Sequence, residues 1–200
     1  MSAITETSIC NEALVFLGER PLLTFPETSV NSDYCVTFFN RVKESELIKH
    51  PWNFATDRIQ LTRISGAPVY EYAYQYQIPA NLLKILEMYP HSLRWRRERT
   101  SILSDSDTMY CTYIYNVSVS AFNAMFASVV SARLAMLLAP ILTERDVKFT
   151  QAVSWYQDVV KDAKQMDNYE SSIDQMDDLD VVSGRSHFVS GYQRATISAS

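Results

Sequence analysis

The sequence predicts an α+β fold: an antiparallel helical bundle built from the two ends of the chain, with an antiparallel β-sheet platform inserted between them. Three observations carry this. Apolar residues recur at helical spacing before residue 50 and again after residue 118. Between these regions the period drops to two, most clearly where Tyr70, Tyr72, Tyr74, Tyr76 and Ile78 alternate with Glu71, Ala73, Gln75 and Gln77. The order is thus helix, helix, sheet, helix, helix, and a bundle closed by both termini buries all four apolar faces economically. The divisions expected are residues 1–55 and 118–166 for the two parts of the bundle, 56–117 for the platform, and 167–200 for a polar tail.

In the first helix Ile9, Ala13, Phe16 and Leu17 share a face and Gly18 stands where a left-handed C-cap belongs. Pro21 blocks continuation. A second helix is expected from about Ser32 to Lys49, capped by Asn31 or Ser32, with Cys35, Phe38, Phe39, Val42 and Leu47 as its stripe and His50-Pro51 as its end. Further strands are expected at Ile59–Ile64, pairing with the tyrosine ladder, and at Lys84–Tyr89, Leu93–Glu98 and Met109–Asn116, with a turn at Ser104–Asp107. They suggest one meandering sheet of four or five strands. Helix returns from Ser118 or Ser120 to about Leu138, where Pro140 stops it. Thr143 caps a last helix whose apolar face is Phe149, Ala152, Val153, Tyr156, Val160 and Ala163.

Composition narrows the function. With 4 glycines among 200 residues there is little material for a phosphate-cradling loop. The 12 tyrosines suit half-buried sheets and protein interfaces, because a tyrosine packs its ring while its hydroxyl stays paired. A net charge of −5 is not that of a protein that grips nucleic acid through its phosphates. Cys10, Cys35 and Cys111 lack metal spacing and read as reduced core residues. No cofactor or metal is expected. Met1–Thr7 lack a basic start and an apolar run, and the apolar stretch Leu134–Leu142 is short and interrupted by Pro140, so a soluble cytoplasmic protein without membrane contact is expected.

Candidate chemistry is sparse. His50, His91 and His187 form no helical metal pair and read as surface or turn residues. No serine lies in a G-x-S-x-G elbow. Glu46 and Glu71 are the carboxylates a glycan hydrolase would need, although both read as solvated. The one dense basic run is Arg94, Trp95, Arg96, Arg97, Glu98 and Arg99. It admits three readings: a nucleic-acid grip, an edge strand whose charges discourage stray pairing, or an intersubunit seam. The acidic stretch after Met166 and the final segment, with Arg185, Phe188 and Tyr192, read as a tail that orders only against a partner.

Several stretches together resemble the phage tail tubular protein A family. They are Asn11-Glu12-Ala13-Leu14 with Leu17-Gly18-Glu19-Arg20-Pro21-Leu22, then Pro51-Trp52-Asn53-Phe54, then Ile78-Pro79-Ala80-Asn81-Leu82-Leu83, and Arg133-Leu134-Ala135 with the closing helix through Tyr156 and Ala163. The resemblance spans about Ile4 to Met166. It implies a non-enzymatic virion protein, assembled in the host cytoplasm, that forms a dodecameric ring between the portal protein and the tail nozzle. Double-stranded DNA would pass through transiently without specific binding, and an acidic bore would repel its phosphates. The partner-binding residues expected are Arg94, Arg96, Arg97 and Arg99, with Arg185, Phe188 and Tyr192 on a portal-docking tail. Some members of that family degrade glycans, but no carboxylate pair in this sequence carries that property over.

Overall fold

A computed structural model describes residues 3–143 and 146–171 of the chain. The fold is α+β: among the described residues it has four helices and two three-stranded antiparallel sheets. The helices are α1 (Glu6–Leu17), α2 (Val30–Lys49), α3 (Ala124–Leu142) and α4 (Asp146–Ser171). The strands are β1 (Thr56–Gln60), β2 (Tyr74–Gln77), β3 (Leu82–Tyr89), β4 (Trp95–Glu98), β5 (Ser101–Ser104) and β6 (Tyr110–Tyr115).

The bundle forms around α3, whose ten buried residues include Phe126, Val130, Leu134 and Leu138. By length and composition this 19-residue helix is apolar enough to cross a membrane, contrary to the expectation from Leu134–Leu142 alone. Here its apolar faces are taken up by α1, α2 and α4. It starts later than expected. Residues Val119–Ala121 form a single 3-10 turn, and Asn123 is the N-cap, its side chain accepting from the Phe126 N–H. Pro140 does not end it. The proline occupies the last turn, where only one intrahelical bond is lost.

Helix α1 ends as its sequence dictates. Gly18 adopts φ +86°, the Gly18 N–H donates to Val15 and the Glu19 N–H to Leu14, a Schellman closure. Asn11 then clamps the following turn, donating to the Leu22 carbonyl at 2.9 Å and accepting from the Leu22 N–H at 2.7 Å. Helix α2 is capped by Ser29, not by Asn31 or Ser32, since the Ser29 hydroxyl accepts from the Ser32 N–H. His50 is extended and ends the helix before Pro51. Trp52 and Phe54 then pack on Phe126, with ring centroids 5.0 and 5.1 Å away.

The platform is two sheets, not one meander. The first has the order β1-β6-β3 and the second β2-β5-β4. One face of the first sheet, through Leu83, Leu86 and Ile114, joins the bundle core. The other, through Ile85, Met88, Cys111 and Tyr113, joins a smaller core with Leu61, Tyr76 and Ile102. Register shifts in β3, between Leu82 and Lys84 and between Ile85 and Glu87, accompany this two-sided burial. The molecule is therefore layered: bundle, first sheet, second sheet.

Two strand expectations change. Of the tyrosine ladder only Tyr74–Gln77 is strand; Val69 is 98% exposed, Tyr70 74%, and Glu71 turns at φ +74°. Period two marks residues that can alternate, but Gly66, Pro68 and the turn at Glu71 keep this stretch a loop. Conversely, Ser101–Ser104 is strand β5, three of its four residues buried at the middle of the second sheet. Its short, serine-flanked sequence gave no alternating signal. The expected pairing of Ile59–Ile64 with the ladder is split. Residues 56–60 pair with β6, while Arg63 bridges Tyr76, and the Ile64 and Gln77 N–H groups bond across to Gln75 and Thr62.

Candidate functional site

The basic run lies on the outermost strand of the outermost layer. β4 pairs with β5 through Trp95↔Ser104, Arg96↔Leu103, Arg97↔Ile102 and Glu98↔Ser101, closing a hairpin over the two residues Arg99 and Thr100. Such a turn demands positive φ, and Arg99 adopts +49° despite its side chain. On its other side β4 has no strand partner among the described residues, whereas β2, at the opposite edge, is covered by residues 62–64. All four β4 residues are exposed, Trp95 at 40%. Alternate residues of an unpaired edge direct N–H and C=O groups outward, which makes β4 a ready acceptor for another extended segment.

Arg94, Arg96, Arg97 and Arg99 all lie along this rim, with Arg96 and Arg97 on opposite faces of β4. Arg94 is tied down: its guanidinium reaches Asp105 at 3.3 Å and Glu71 at 3.7 Å and lies over the Tyr72 ring at 5.4 Å. Arg96 meets Glu98 at 3.6 Å, two residues along the same face of the strand. These contacts are solvent-exposed, each worth about 0.2–1 kcal/mol. Arg97 and Arg99 have no carboxylate partner among the described residues. Arg185, Phe188 and Tyr192 lie outside the described residues.

Beside the hairpin turn is a cleft of about 310 Å³ between the 68–72 loop and the sheet, walled by Val69, Tyr70, Tyr72, Leu103 and Arg99. Glu71 and Arg99, the two non-glycine residues with positive φ among the described residues, both line it. Backbone strain of this kind costs about 1–3 kcal/mol per residue and concentrates where surfaces bind. Asp105 holds the loop in place by accepting from the Ala73 N–H at 3.2 Å as well as from Arg94.

The carboxylates considered for hydrolysis do not converge. Glu71 belongs to the outer loop, while Glu46 is in the bundle at 1% exposure, not solvated as its helical position suggested. Glu46 is the hub joining α2, α3 and α4. Its Oε1 meets Lys49 at 2.6 Å and Arg133 at 3.6 Å, and its Oε2 accepts from the Tyr156 hydroxyl at 3.0 Å. Burial alone would lower the Lys49 ammonium, but hydrogen bonds to Glu46 and Tyr156 outweigh it and hold it above its ordinary value. Glu46 is thus consumed by structural pairing.

A second polar knot was also illegible in the sequence. His50 stands at the turn after α2, as one of its two expected readings had it, but it is partly buried: its Nε2 lies 3.0 Å from Asp167, which is 4% exposed. Asp167 also accepts from the Asn53 N–H at 3.0 Å, and its carbonyl from the Asn53 side chain at 2.7 Å. Residues 167–171, expected in the polar tail, belong to α4, and the rest of that expectation lies outside the described residues. α4 runs to Ser171 and is fastened at Asp167 to the junction of bundle and first sheet.

The three cysteines are free and buried. Contact with Cys35 and burial hold the Cys10 thiol well above its ordinary range, and burial pushes Cys111 up to about 11. Among the described residues no cluster of His, Cys, Asp and Glu could hold a metal ion. No protein-family profile matches the chain, and no curated protein is significantly similar to it in sequence.

Proposed function

We propose that this chain is a structural, non-enzymatic virion protein: a head-to-tail adaptor of a short-tailed phage, forming a ring between the portal protein and the tail nozzle through which the genome leaves. The observation that carries the reading is the open, basic β4 edge on a chain of net charge −5. A ring needs two different, mutually complementary faces on every subunit. An arginine-rich edge on a chain whose remaining charge is net negative supplies the two signs that complementary faces need. The ordered motif stretches between Ile4 and Met166 support the same reading, and the structure gives several of them mechanical roles. Asn11 clamps the turn after α1, and Trp52 and Phe54 anchor the platform to α3. The rigid bundle then serves as a frame that presents the outer sheet.

The test is to mix the purified chain with its cognate portal and image the mixture by negative-stain electron microscopy. Rings seated on portals are expected. Bare portals at saturating protein would overturn the reading.

A further inference from the structure

Resting on the adaptor reading, we infer that the β4 edge of one subunit is occupied by residues 173–182 of a neighbouring copy, so that an acidic, apolar segment of the chain is its own ring seam. The acceptor is defined by geometry. β4 is exposed throughout and unpaired on one side among the described residues, with Arg97 and Arg99 lacking carboxylate partners there. At its end lies the cleft walled by Val69, Tyr70, Leu103 and Arg99. This surface asks for an extended ligand that offers main-chain hydrogen bonds, carboxylates for the free arginines, and apolar side chains for the cleft.

The chain contains one such ligand. Asp174, Asp177, Asp178 and Asp180 place four carboxylates in seven residues, a density no other stretch reaches. Ile173, Met176, Leu179, Val181 and Val182 are interleaved with them, and no basic residue interrupts the run. Its starting point is fixed, because α4 is fastened through Asp167 to the junction of bundle and first sheet. The 11 residues from Ser172 to Val182 span at most about 36 Å if fully extended, so the seam requires the β4 rim of the adjacent subunit to lie within that distance of the α4 end. A nucleic-acid ligand fits the same edge less well. Arg94 and Arg96 are already answered by Glu71, Asp105 and Glu98, leaving two free cations on a net-negative protein.

The experiment uses the full chain, whose native cysteines are buried and slow to react. One preparation carries Arg97→Cys and a second Asp178→Cys; a short bis-maleimide is added to each alone and to their mixture, free at high concentration and with portal present. A covalent dimer is expected in the mixture at about tenfold or more over either preparation alone, and Arg96→Glu with Arg99→Glu should reduce it about tenfold. Adding Asp177→Lys and Asp180→Lys to the Asp178→Cys partner should restore it. No dimer under either condition, or competition by a short DNA duplex that itself shifts in a gel, would each overturn the inference. Rings on portals without the crosslink would sink the seam and leave the adaptor reading standing. The crosslink without portal binding would do the reverse.

Discussion

Around Phe126 the bundle gathers Trp52, Phe54 and Phe122 in edge-to-face and tilted contacts with centroids 4.7–5.1 Å away, and α3 buries ten residues against three other helices. Across the first sheet, the outer sheet has a core of a different kind. Tyr76 and Ile102 are sealed, but β4 is exposed along its length, and the loop beside it holds Val69 and Tyr70 in solvent. The bundle also satisfies its buried charge internally at Glu46, whereas the outer rim leaves two arginines without carboxylate partners among the described residues. Buried apolar contact is concentrated in the first region, and an open backbone edge with unpaired positive charge in the second. The contrast teaches that the bundle is the frame and the outer sheet the surface on offer.

Breaking the frame should have the largest effect. Phe126→Ala is expected to cost about 3–5 kcal/mol in urea unfolding, since three aromatic neighbours lose their common partner. Glu46→Gln should cost about 1–3 kcal/mol, because Lys49 and Arg133 lose their counter-charge in a part-buried site. A loss no greater than that of an exposed helix substitution would remove Glu46 from its place as hub.

Alkaline pH probes the layer between the two regions, where Cys111 lies. Its folded value of about 11 exceeds the unfolded 9.0, so the folded state keeps a proton that the unfolded state has released. Stability from this group is present below about pH 9 and is lost as pH rises towards 11, by about 2–3 kcal/mol. Urea midpoints measured across that window should fall, and Cys111→Ala should flatten the slope.

On the rim the effects reverse or vanish. Arg99→Gly should raise stability by about 0.5–1 kcal/mol by releasing the positive φ, while removing one cation from the proposed seam. Arg96→Ala should move stability by less than about 0.5 kcal/mol, since its contact with Glu98 is exposed. A large loss from either change would mean the rim belongs to the frame.

How legible each region was follows from the range of the interactions that build it. The helices of the bundle announce themselves, because apolar spacing and caps such as Gly18 act within a turn or two. Even there the caps at Ser29 and Asn123 were displaced by a few residues, since several neighbours could serve equally well. The outer sheet was harder. β5 is four residues long, and the ladder at Tyr70–Tyr72 satisfies the period of a strand while the chain around it turns. The basic run was visible as charge, but its position on an open edge depends on which strands pair. Glu46 and Asp167 were least legible. Their burial comes from Tyr156 and Asn53, 110 and 114 residues away, and no local pattern encodes a partner at that distance.

Native mass measurement of the protein alone and with portal is the decisive test of the proposal that this chain fits against copies of itself and against a portal. A discrete multi-copy complex on the portal is expected, lost when Arg96 and Arg97 are both changed to Glu. A portal whose mass is unchanged by saturating protein would contradict it.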